Sequence, residues 1–171
     1  KGFGDLKYEN TTGRNDIVNM KVAHDDEYIY FYADAAADLT AQTDSNWMTL
    51  FIDSGVDGNK NWYGYDFAVN IDSPNGNMGA LSKATGNGWG WEKAGDVKMK
   101  IEGNKIMLAI SRADLGIPDN NGATLIDIQF KWADNYQKDE EGNFDIWTFY
   151  KDGDAAPYGR LNYVYSEKCY S

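Results

Sequence analysis

The sequence predicts an all-β domain: a two-sheet antiparallel β-sandwich of jelly-roll or immunoglobulin-like form, with one short helical turn near residues 111–116. Three observations predict it. Apolar and polar residues alternate over short runs, the period of a half-buried strand. Clusters of Gly, Asn and Asp punctuate those runs at short intervals. The 171 residues, 42% of them apolar, suffice for one domain (1–171) with a sizeable core.

The elements follow in order. Val18, Met20 and Val22 alternate with Asn19 and Lys21, a polar turn occupies 23–27, and Tyr28-Ile29-Tyr30-Phe31-Tyr32 completes a hairpin. A strand spans 46–53, the loop 54–64 is rich in Gly, Asp and Asn, and 65–71 is the returning strand. Residues 72–90 read as a long structured loop with a short strand inside it. Val97, Met99 and Ile101 alternate with charged residues, Gly103-Asn104 turns the chain, and 105–110 returns. In 111–116, Ser111 caps a helical turn, Asp114 stands where a capping box takes an acid, and Gly116 ends it. Strands at 125–132, 146–150 and 161–165 finish the chain, with an acidic turn at 139–143.

Charge narrows the partners. The net charge is −11, and the 16 Lys and Arg are scattered rather than gathered into the basic patch a nucleic-acid binder needs. No apolar run reaches the roughly 18 residues of a membrane helix, so membrane insertion is not expected. Cys169 is the single cysteine and His24 the single histidine, which leaves no internal disulfide and no zinc cluster. The first residues, Lys1-Gly2-Phe3-Gly4-Asp5, lack the three-part pattern of a secretory leader, and the chain reads as a mature module of a longer protein. Asn10-Thr11-Thr12 matches a glycosylation acceptor, meaningful only in a eukaryotic secretory chain.

Six Trp, twelve Tyr and seven Phe make the chain 15% aromatic. Sugars present flat C–H faces that stack on Trp and Tyr, while their hydroxyls need polar partners. Trp62, Trp89 and Trp91 lie in or beside Gly-rich loops and are the candidate stacking residues; Trp47 opens a strand and joins them as a weaker candidate. Arg160 is a candidate for the hydroxyls. Trp132 and Trp147 lie in expected strands and read as core. The stretch Asp53-Ser54-Gly55-Val56-Asp57-Gly58-Asn59 offers oxygen ligands of the kind calcium takes, but its spacing is not that of an EF-hand. A calcium site therefore needs Asp53 and Asp57 completed by Asp66 or Asp154 from elsewhere; turn chemistry alone also explains such a composition. The acidic cluster 139–145 reads as a solvated hairpin. His24, amid acids in a turn, is a poor catalytic base, and Gly86-Asn87-Gly88-Trp89-Gly90 lacks the Lys-Ser/Thr and the helix of a phosphate loop.

Several segments carry a resemblance together: Thr12 to Val18, Trp47 to Asp53, Trp62 to Asn70, Ala109 to Gly116, Phe130 to Asn135, Gly153 to Pro157 and Gly159 to Tyr163. Over residues 11–165 the chain resembles the domains similar to family 9 carbohydrate-binding modules, a branch of the DOMON-like β-sandwich group found in secreted bacterial polysaccharide-degrading proteins. The resemblance implies a two-sheet sandwich, bound structural calcium, a sugar held between two tryptophans, and a secreted or cell-surface location. It also implies a monomeric module linked to other domains, with a polysaccharide or oligosaccharide as partner. Haem-binding DOMON-like relatives use Met and His, which His24 fits poorly. The expected function is non-catalytic glycan binding. The alternatives are a ligandless spacer domain, with its tryptophans buried, and a small jelly-roll glycosidase, with two carboxylates in a cleft.

Overall fold

A computed structural model describes residues 12–42, 46–56, 61–86, 88–149 and 153–167. The strands are β1 (Ile17–His24), β2 (Tyr28–Ala35), β3 (Thr49–Asp53), β4 (Phe67–Val69) and β5 (Met78–Ala84), then β6 (Trp91–Glu102), β7 (Lys105–Ser111), β8 (Asp127–Asp134), β9 (Asp154–Ala156) and β10 (Tyr163–Ser166). They form one antiparallel sheet in the order β1-β2-β7-β6-β5-β4-β3-β8-β10, with β9 also on β8. The sheet curls until it nearly closes into a barrel. Its two edges meet where His24 Nδ1 on β1 lies 2.6 Å from the Tyr165 hydroxyl on β10. At the other end of β1 the Ile17 N–H donates to Asp154 Oδ2 at 2.7 Å, and Arg14 Nε sits 3.0 Å from Asp134 Oδ2. The expectation of an all-β antiparallel fold is met. The hydrogen bonding runs through a single continuous sheet rather than two separate ones.

The alternation read in the sequence fills the interior. Ile29, Phe31 and Ala33 on β2 face inward with Ile106, Leu108 and Ile110 on β7; Leu50 and Ile52 on β3 meet Ile128, Phe130 and Trp132 of β8. Each of the larger side chains, fully removed from water, contributes roughly 1.5–3 kcal/mol. Trp132 is core, as expected.

Two local expectations change. Residues 146–150 were expected as a strand, but Ile146–Thr148 is a 3₁₀ turn. The reason is spacing: Ile146 and Phe149, three apart, both point into the protein, a helical rather than a two-residue period. Asp145 caps the turn by accepting from the Trp147 N–H at 3.0 Å. Trp147, expected in the core, is therefore turned outward and is 37% exposed. The helical turn at 111–116 is present as a single hydrogen-bonded turn. The Asp114 N–H reaches Ser111 Oγ at 3.4 Å, the Leu115 N–H reaches Ser111 O at 3.3 Å, and Gly116 leaves it with φ 75°. Beneath it Arg112 is buried, donating to the carbonyls of Ile117, Asp25 and Thr124 at 3.0–3.1 Å.

Candidate functional site

The outer face of β3, β4 and β8 carries a second, aromatic core. Phe51 projects there between its register partners Ala68 on β4 and Lys131 on β8, with Ala133 two residues along β8. The two alanines leave the width that large rings need. Trp62, Tyr65, Trp89, Trp91, Tyr136 and Phe149 surround Phe51, with ring centroids 5.4–6.2 Å away. The layer is held at its polar tips. Tyr136 OH meets Thr49 Oγ1 at 3.0 Å, Tyr65 OH donates to Asn162 Oδ1 at 2.5 Å, and the Trp62 indole N–H donates to Phe144 O at 3.3 Å. Burial pushes the Tyr65 and Tyr136 phenols above their ordinary range.

A cleft of about 580 Å³ opens on the outer side of this layer. Its aromatic walls are Trp62, Tyr63, Trp89 and Phe144. Trp89 lies against Phe144 at 4.3 Å and 36°, and meets Trp62 nearly edge-on at 4.7 Å and 84°. Lys138 and Asn143 supply polar groups, with the Lys138 ammonium 5.2 Å from the Phe144 ring centre. Gly88 and Gly142 leave the rest open. The lining holds no carboxylate among the described residues.

Local rules place these walls. Trp62 and Tyr65 form an isolated antiparallel bridge around Tyr63 and Gly64, whose φ values are 51° and 91°. Two positive φ values in a two-residue turn are those of a type I′ hairpin, where Asn-Gly is the favoured pair. A tyrosine is costly at the first position. Its ring is nevertheless held at the cleft mouth. Its hydroxyl donates to Asp145 Oδ1 at 2.8 Å, and the Arg160 guanidinium lies 5.7 Å from its ring centre. Partial burial, then the Asp145 contact, pushes the Tyr63 phenol up to about 12. Phe144 is positioned by the turn before it, where Asp139 Oδ1 accepts the N–H groups of Glu141 and Asn143 at 3.0 and 2.8 Å.

The expected ligand residues divide accordingly. Trp62 and Trp89 line the cleft and Arg160 stands at its mouth; Trp62 itself is only 4% exposed. Trp91 packs behind Trp89 at 5.6 Å and is not a wall. Trp47 is fully buried in the other core, donating its indole N–H to Thr40 O at 3.0 Å, so it offers no face to a ligand. Sequence reasoning missed Tyr63, Phe144, Lys138 and Asn143. The signal was an aromatic residue, Phe144, inside an otherwise acidic turn.

Of the expected calcium ligands, Asp154 stands apart from Asp53 and Asp66. Asp57 lies outside the described residues. Asp154 pairs with Asp134 beside the Thr49 end of β3, whereas Asp53 is at the opposite end, about 13 Å along the strand. Asp66 is buried and spends its carboxylate on the Ser54 N–H at 2.8 Å and on the Ser54 hydroxyl. Burial raises the pKa values of Asp66 and Asp154. No group of three or more acidic, His or Cys side chains suited to a metal occurs among the described residues. Asp154 and Asp53 are too far apart to share one ion. No family model matches the chain, and neither a curated protein nor a solved structure matches it.

Proposed function

We propose that the chain is a non-catalytic carbohydrate-binding module, and that its cleft stacks a glycan on Trp89 and Phe144 while Lys138, Asn143 and Arg160 meet the hydroxyls. The observation that carries this reading is the half-open aromatic cleft set on a rigid ring layer. Its volume falls within the roughly 300–1,000 Å³ of small-ligand sites. Because the walls stand on packed side chains, little ordering entropy is lost on binding. A lining without carboxylates favours binding over hydrolysis, which needs two facing acids. In this reading β1, β2, β7, β6 and β5 form one half of a flattened sandwich, and β4, β3, β8 and β10 the other. A secreted or cell-surface module of a longer polysaccharide-degrading protein is the corresponding setting.

Tryptophan fluorescence during titration with a panel of soluble plant and host glycans tests the proposal. The expected result is a saturable shift with one glycan class, weakened by Trp89→Ala and by Asn143→Ala. If no member of the panel shifts the spectrum, the chain is better read as a spacer domain. Calcium at the Asp53 end of the loop is a separate proposal, tested by melting with and without EDTA.

A further inference from the structure

Beyond the cleft mouth, contacts run in a closed ring from Tyr63 to Trp147 and back. Tyr63 is bound to Asp145; Asp145 caps the 3₁₀ turn that carries Trp147; and Gly159 backs the Trp147 indole. A Cβ on Gly159 would sit only 3.5 Å from Trp147 Cζ3, and the next residue, Arg160, returns to the Tyr63 ring. Trp147 is thus an exposed indole held from its own backbone and from one side. A single exposed aromatic is common on protein surfaces; this one is distinguished by contacts that fix it in place beside a cleft wall.

We propose that Trp147 is a second stacking subsite, continuous with the cleft through Tyr63 and Arg160, and that the chain binds along a glycan polymer rather than capturing a single sugar or a chain end. This rests on the cleft reading above. The cleft alone would hold a short oligosaccharide. A longer chain leaving past Tyr63 reaches the indole, where another pyranose ring finds an apolar face, with the Arg160 guanidinium between the two sites for its hydroxyls. Stacking on a further aromatic ring adds affinity in proportion to the face covered.

The test uses soluble oligosaccharide ladders, from monomer to hexamer, of β-1,4-linked glucan, xylan and mannan and of a uronate polymer, titrated by calorimetry against the intact 171-residue chain. The expected result is an affinity that rises about tenfold past the length the cleft holds. Trp147→Ala should abolish that rise and leave the shortest binding member unchanged. Trp147→Phe should keep part of it, and Trp89→Ala should weaken every length. A ladder that binds but stays flat with length overturns the subsite and leaves the cleft standing. Equal losses at all lengths in Trp147→Ala, with a lowered melting temperature, assign Trp147 a structural role and overturn it too. Failure of every ladder overturns both proposals.

Discussion

The Tyr63 hydroxyl and the Trp147 backbone N–H share one acceptor, Asp145 Oδ1, at 2.8 and 3.0 Å. One carboxylate therefore fixes a cleft wall and starts the turn beside it. Asp145→Ala is expected to cost about 1 kcal/mol of stability through the lost cap. Asp145→Asn should keep most of that stability, since Asn caps as well. Urea unfolding of both variants checks the difference.

Tyr63 occupies a position that Asn-Gly turns fill more readily. Tyr63→Asn is expected to relieve backbone strain of order 1 kcal/mol. That offsets the loss of an exposed hydrogen bond, so the midpoint of unfolding should not fall. Glycan affinity should fall in the same variant. A variant that loses stability and keeps affinity would show that Tyr63 serves the fold alone.

Lys131 gives the pH dependence a sign. Its side chain is fully buried on the outer face of β8, paired across from Phe51, and donates to the Pro157 carbonyl. Desolvation lowers its pKa to about 7 from 10.5. Between those values the unfolded chain binds the proton and the folded chain does not, so this group makes stability rise with pH. The slope approaches about 1.4 kcal/mol per pH unit. Unfolding measured from pH 7.5 to 9.5 should show it, and Lys131→Met should remove it and be more stable at pH 7.5. A flat wild-type profile would mean that the ammonium is charged and solvated in the folded state.

Buried carboxyls act oppositely. Burial raises the pKa values of Asp66, Asp134 and Asp154. Their contribution is complete below the ordinary carboxylate value of 3.8 and is lost as pH rises through the folded-state value. Asp66→Asn, which keeps the shape and drops the charge, should therefore lose less stability at pH 7 than at pH 4. Thermal melts at the two values decide it.

Arg112 gathers three carbonyls from two loops, that of Asp25 in the β1–β2 turn and those of Ile117 and Thr124 in the β7–β8 connection. Arg112→Met leaves those acceptors without their donor and is expected to cost roughly 3 kcal/mol. Arg112→Lys should recover only part, because an ammonium lacks the planar fork that reaches all three. Chemical denaturation of the two variants measures the gap.

Much of this architecture was legible because it is local. The β1–β2 hairpin, the Gly103-Asn104 turn and the Ser111 cap follow from neighbours in sequence. The closing of the sheet does not. It depends on β2 pairing with β7 and β3 with β8, partners far apart in the chain whose register no short window contains. The tryptophans show the same division. Whether a residue sits in a loop or a strand was a poor guide to exposure: loop residue Trp62 is buried under Phe144, and Trp147, read as a strand residue, is not. What decides exposure is which segments fold back over each ring, and only the tertiary arrangement of residues 135–149 determines that. Phe51 was legible as a strand residue but not as the centre of a second core, because strand β3 reads as apolar on both faces.

Those two faces set a constraint on the molecule's history. Leu50 and Ile52 belong to the barrel interior and Phe51 to the ring layer beneath the cleft. A one-residue slip of β3 would send the aliphatic pair among the rings and the phenyl group into the interior, spoiling both at once. Exchanges at the exposed rim positions Tyr63, Gly88, Lys138 and Asn143 fall in none of the strands. The chemistry of the cleft can thus be edited at its rim, while the strand beneath it works as a fixed datum for both halves.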